Sequence, residues 1–153
     1  MKMQRCVQCG KAAVTEADVK LQRRIAGRVF VTTVLGSRCG ACGEDYVMAP
    51  DLQRFELLTA RTLAEAGQSS GAAFKFMRKA MGLKATDLAV LLGVTAETIS
   101  RWENDKHAPD RSTLAVMAYL LADKLAGSTR TADALQAMAQ PKKLGKRVEL
   151  KVA

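Results

Sequence analysis

Residues 82–121 read GLKATDLAVLLGVTAETISRWENDKHAPDRSTLAVMAYLL, and this stretch decides the fold of the C-terminal half. Leu88, Ala89, Leu91 and Leu92 form an apolar stripe at helical spacing. Phe74, Met77 and Met81 do the same in the preceding segment, which Gly82 ends. Gly93 stands where a chain leaving a helix needs a positive φ, and Thr95 stands where a side-chain oxygen can accept the orphan amides of the next helix. That helix is predicted to begin near Ala96. Within it Ile99 and Trp102 fall three apart and face a core, while Glu97, Thr98 and Arg101 lie on the other side, open to a partner. A helix held by one face and polar on the other is what reading a DNA major groove requires.

The flanks extend the pattern. Pro50 is placed as the first residue of a helix running to about Ala66, with Leu52, Phe55, Thr59, Thr62, Leu63 and Ala66 on one face. Residues 67–71, GQSSG, read as a flexible linker. Residues 111–125 and about 130–139 read as helices, with Gly127 and Pro141 as breaks. The tail KKLGKRVELKVA is basic and alternates Val148, Leu150 and Val152 with charge. Disorder, an added strand and a phosphate-contacting arm all fit it.

The four cysteines carry a second signal. They occur as Cys6-Val7-Gln8-Cys9-Gly10 and Cys39-Gly40-Ala41-Cys42-Gly43, with 29 residues between the pairs. Each CxxCG can form a knuckle whose two thiolates point at one ion, the glycine permitting the tight turn. Four thiolates close a tetrahedral shell with no place for water or substrate, so the reading is one structural Zn²⁺ held by Cys6, Cys9, Cys39 and Cys42. Iron in a rubredoxin-like site uses the same ligands. Two disulfides would need an oxidising compartment, for which no targeting signal speaks, and thioredoxin-like chemistry wants a single CxxC in a βαβ unit. Between the pairs, Val19, Leu21 and Arg23, then Val29, Val31 and Thr33 against Phe30, Thr32 and Val34, alternate as strands around an Ala26-Gly27 turn.

The expected fold class is therefore α+β: a small N-terminal zinc-bound β domain (residues 1–50), a helix and linker (51–71), an all-α five-helix helix-turn-helix domain (72–127), and a C-terminal helix with a basic tail (128–153). At 153 residues and 48% hydrophobic content the chain has room for two small cores. It contains no run of 18 apolar residues and no charged-then-apolar leader pattern, so a soluble, cytoplasmic protein without a membrane span is expected.

Enzymatic chemistry finds no support. The one histidine, His107, has no nucleophile or base assignable to it, and no glycine-rich phosphate loop precedes a helix. Met77, Met81, Met117 and Met138 read as core filler. The net charge of +9 suggests a polyanionic partner, but residues 69–140 hold 9 basic and 7 acidic side chains, so the excess lies toward the two ends.

The matches Gly82-Leu83, Leu88-Ala89, Leu92-Gly93-Val94, Ile99-Ser100, Trp102-Glu103, Pro109 and Leu114 make the 82–121 segment resemble the Cro/phage-repressor (XRE) helix-turn-helix. The resemblance implies that the helix after the turn enters the major groove, with Ala96, Glu97 and Arg101 at the base edges. Thr95, Thr98, Asn104 and Lys106 flank them. Arginine can pair bidentately with guanine, glutamate can accept from cytosine N4, and alanine can at most touch a thymine methyl. It also implies a buried ion pair, falling on Arg78 and Glu103. Where the family starts its second helix with Ser or Thr and Gln, this chain has Lys84-Ala85. Lys84 cannot cap by accepting amide hydrogens, but it can meet a phosphate as a point charge.

A CxxC/CxxC domain followed by a Cro-type unit is similar to the MqsA family of antitoxins, with its YgiT-type zinc finger, and the likeness spans nearly the whole chain. It implies a type II antitoxin: a homodimer that represses its own operon at a palindromic double-stranded operator and holds a toxin protein through its zinc domain. A zinc domain with 8 basic and 4 acidic residues is a poor electrostatic match for a basic, RNA-binding toxin, although Glu16, Asp18, Glu44 and Asp45 offer local acidity. A stand-alone zinc-containing transcription regulator is the alternative. A metal-binding interaction module whose helices serve only assembly is a third reading.

Overall fold

The β hairpin is built around a turn of two residues. Strands β1 (Val14–Ile25) and β2 (Arg28–Cys39) pair antiparallel from Ile25↔Arg28 to Val14↔Cys39 in our computed structural model, which describes residues 4–152. Ala26 and Gly27 close the hairpin with φ of 48° and 76°. Two successive positive values are the type I′ geometry, whose twist matches that of the flanking strands. A short β3 (Asp45–Tyr46) adds to β2, giving the sheet order β1-β2-β3. Gly36 is obligatory there, because a Cβ would collide with the carbonyl of Tyr46. Val19, Leu21 and Ile25 share one face with Val34, Thr32 and Arg28, whereas Val29, Val31 and Leu35 stand exposed on the other.

Six helices follow among the described residues: α1 (Ala49–Glu65), α2 (Gly71–Ala80), α3 (Ala85–Leu92), α4 (Ala96–Glu103), α5 (Arg111–Ala126) and α6 (Arg130–Ala139). The class is α+β as expected, but α1 packs on α2 and α5 within one core, so the helical body is not a five-helix unit alone. Leu63, Phe74, Met77, Leu88, Ile99, Met117 and Leu121 are fully buried there, and Phe74 meets Trp102 edge-on at 5.3 Å.

Several local expectations need correction. The buried face of α1 runs through Phe55, Leu57, Thr59, Ala60, Leu63 and Ala64, while Leu52, Thr62 and Ala66 are exposed. The helix is gripped from two sides, which widens its apolar stripe beyond a single helical row. Residues 67–71 are not a loose linker. Gln68 N–H donates to Leu63 O at 3.0 Å and Gly67 N–H to Ala64 O at 3.0 Å, a Schellman ending with Gly67 at φ 67°. Ser70 then caps α2 by accepting from the Ala73 amide. Met138 is 75% exposed, because α6 touches the core only through Ala132 and Leu135. Residues 141–152 form no strand and are exposed throughout.

The hairpin tip rests on the helices: Ile25, Ala26 and Phe30 are partly buried against the helical core, and Arg23 donates to Glu56 of α1 at 2.5 Å. Behind α4, Arg78 donates to Glu103 at 2.5 and 3.0 Å and to Leu83 O at 2.8 Å, with the two side chains 11% and 9% exposed. Removing one partner strands the other charge. Glu103→Ala is expected to cost ~3–5 kcal/mol in urea denaturation, while the paired replacement Arg78→Met with Glu103→Leu costs far less; equal losses in the two would contradict this account.

Candidate metal centre and nucleic-acid interface

The two knuckles have the same backbone. Gly10 N–H donates to Cys6 O and Gly43 N–H to Cys39 O, each at 2.8 Å; Cys6 N–H donates to Lys11 O and Cys39 N–H to Glu44 O, each at 2.9 Å. Gly10 and Gly43 have φ of 72° and 78°, which lets each chain turn back beneath its cysteines. The Gly40 amide, donating to Ala13 O at 2.9 Å, ties the second knuckle to the approach of β1.

This brings the four sulfurs within 4.8 Å of one another, with Cys6 to Cys42 at 3.6 Å and Cys9 to Cys39 at 3.7 Å. A tetrahedron with ~2.3 Å zinc–sulfur bonds has edges of ~3.8 Å, so the cage fits zinc. All four cysteines are free; Cys6 and Cys39 are buried, Cys9 and Cys42 exposed. The donor chemistry also calls for a cation. The thiol of Cys6 is held down to about 6, chiefly by the hydrogen bond from Tyr46. At Cys42 the Glu44 amide favours the thiolate, but desolvation and the neighbouring cysteines outweigh it and push its thiol up to about 12. Thiolates brought this close repel one another, and a cation at the centre of the cage offsets that repulsion. The assembly is one structural zinc site, its shell closed by the four cysteine sulfurs.

Tyr46 is the part of this site that the sequence did not announce. Its hydroxyl lies 3.1 Å from Cys6 Sγ and accepts from the Val7 amide at 3.2 Å. It comes from β3, so its place depends on the β2–β3 pairing, and no spacing rule marks it.

In the helical half, α3 ends at Gly93 with φ 67°, and Val94 N–H donates to Ala89 O at 3.0 Å. Thr95 caps α4 by accepting from the Thr98 amide at 3.1 Å. Ile99 and Trp102 point inward, while Ala96, Glu97, Arg101, Asn104 and Lys106 are exposed and Thr98 is half-buried. Arg101 donates to Glu97 one turn earlier at 2.6 Å, and Asn104 Nδ2 donates to Ser100 O at 2.7 Å. Lys84 begins α3 with no side-chain cap; instead its own amide donates to Asp87 at 3.3 Å. Asp105, at φ 55°, accepts from the Gly71 amide at 2.6 Å and so joins the loop after α4 to the start of α2.

Chelating the metal is expected to abolish the strand signal in circular dichroism while the helical signal survives with a lowered melting temperature, since the hairpin tip leaves the core. An unchanged spectrum would rule out a structural ion. Tyr46→Phe is expected to weaken zinc retention roughly 10-fold in chelator competition.

A family model described as the antitoxin component of the bacterial toxin–antitoxin system, MqsA, matches residues 3–124, which include both knuckles and all of α1 to α4. No curated protein matches the chain. Among the described residues no helix is long and apolar enough to cross a membrane. With a four-cysteine zinc site ahead of a helix-turn-helix core, and most of its length matched by that model, the chain belongs to the MqsA family of antitoxins.

Proposed function

We propose that this antitoxin is a sequence-specific repressor that binds the operator of its own toxin–antitoxin operon as a homodimer, with α4 in the major groove. The carrying observation is the two-sidedness of α4. Ile99 and Trp102 are buried against the core, so the helix cannot roll, and Ala96, Glu97 and Arg101 are left as its outward row. Thr95, Thr98, Asn104, Lys106 and Lys84 surround that row as backbone contacts. Arg101 and Glu97 meet solvent as a hydrogen-bonded pair, and an arginine already steered by a neighbouring carboxylate loses less freedom on presenting its fork to guanine.

A lone recognition helix reads few base pairs, so two copies related by a two-fold axis, with half-sites ~34 Å apart, suit the task. The interface is assigned to the region 111–139, where Tyr119 is 68% exposed beside a groove between α1 and α5 lined by Ala64, Ala115, Ala118 and Ala122. The toxin partner that family membership brings is assigned to the N-terminal domain. Zinc bound to four thiolates carries two negative charges, which eases the mismatch between that basic domain and a basic partner. We read the protein as non-enzymatic and cytoplasmic; His107, exposed in the loop after α4, has no catalytic assignment.

Selection of bound duplexes from a random pool tests the reading. A palindrome is expected, and Arg101→Ala should lose roughly 10- to 100-fold of affinity for it with folding intact. Undiminished discrimination in that variant would remove Arg101 from the base-reading set.

A further inference from the structure

The segment after α6 lies beyond the residues that match the family model, which end at 124. Lys142, Lys143, Lys146, Arg147 and Lys151 stand there against one acid, Glu149. The residues from 141 to 152 are exposed and pair with no strand, which leaves Val148, Leu150 and Val152 without a sheet to join. Arg147 approaches Glu149 at 3.1 Å, but both are more than 80% exposed, and such a pair gives way readily to a stronger anion. The body of the helix-turn-helix is nearly neutral by contrast, and one of its cations, Arg78, is held by Glu103 behind α4. A reader of that kind has little intrinsic grip on a phosphate backbone.

The fold fixes where the cationic segment begins. Gly127 ends α5 with φ 67°, and Asp123 accepts from the Thr131 amide at 2.7 Å, an interaction that also holds its carboxyl below the usual carboxylate range. Ala132 and Leu135 then seat α6 against the core, alongside α3. At the far end of α6, Ala137, Ala139 and Gln140 adjoin Val90 of α3. The segment therefore leaves the body within about one helix diameter, ~10 Å, of the first helix of the helix-turn-helix. Twelve residues can then extend ~40 Å, more than a full turn of duplex.

Building on the assignment of α4 as the DNA reader, we propose that residues 141–152 are a phosphate-contacting arm. It lies along the duplex flanking the half-site read by α4 and supplies a sequence-independent part of the affinity. Its ligand is double-stranded DNA, through the backbone rather than the bases.

The test compares the full zinc-loaded chain with a variant carrying Lys142→Gln, Lys143→Gln, Lys146→Gln and Arg147→Gln. Each is titrated with the selected duplex and with a scrambled duplex of equal length between 50 and 200 mM salt. Three to four lost phosphate contacts, at a slope of ~0.9 each, make the fall in affinity across that range on the order of 50- to 150-fold smaller in the variant. The ratio of affinities for selected and scrambled duplex stays the same, as does the melting temperature. Equal salt dependence in the two proteins overturns the arm and leaves the reading of α4 intact. A full chain that binds neither duplex overturns that underlying reading instead. A collapse of the selected-to-scrambled ratio, or a lowered melting temperature, overturns the arm as a backbone contact by giving these residues a base-reading or structural role.

Discussion

The ion pair between Arg78 and Glu103 is the constraint on which the outward face of α4 depends. An eight-residue helix such as α4 is not stable alone, since helices shorter than ~12–15 residues are marginal in water. It needs its neighbours to hold it, and Arg78 does so from beneath, reaching Glu103 at the end of α4 and Leu83 O at the turn into α3. Gly71 permits the same approach one step away, because a Cβ there would strike the backbone of Glu103, and Asp105 closes the contact on the Gly71 amide. Three helices thus meet at one charged and glycine-lined crossing. The outward direction of Arg101 is a consequence of that crossing.

Local chemistry was legible in the sequence; long-range chemistry mostly was not. The ends of α3 and α4 were, because Gly93 and Thr95 act on their own turns. The zinc ligands were, because each CxxCG knuckle is complete within five residues. Arg78 and Glu103, 25 residues apart, were anticipated only through resemblance to a known helix-turn-helix. Tyr46 and Asp105 carry no local signal, since each acts on a residue more than 30 positions away. The stretch 67–71 is ambiguous in sequence for a different reason. Glycine and serine suit both a flexible tether and a Schellman ending followed by an N-cap, and only the packing of α1 against α2 selects the second.

The two halves of the chain are joined by more than sequence. Ile25, Ala26 and Phe30 rest on the helical core, and Arg23 reaches Glu56. The zinc cage sits at the opposite end of the hairpin, beside Val14 and Cys39. The hairpin therefore acts as a strut whose one end is shaped by the metal and whose other end is part of the core that supports α4. Excess positive charge is spread differently: it lies in the N-terminal domain and past α6, away from the nearly balanced helices between them.

The two-residue turn at Ala26 and Gly27 also sets the order in which the N-terminal half can assemble. Without it, bringing Cys6 and Cys9 to Cys39 and Cys42 would mean closing a long, floppy loop around an ion. With it, each pairing from Ile25↔Arg28 onward shortens the next search, and the last pair, Val14↔Cys39, delivers one knuckle to the other. Hairpins of this kind close in about 1–10 μs. Without zinc the closed hairpin reopens, so the ion is taken up during the fraction of time in which the cage is formed, and that fraction depends on a turn far from the sulfurs that bind it.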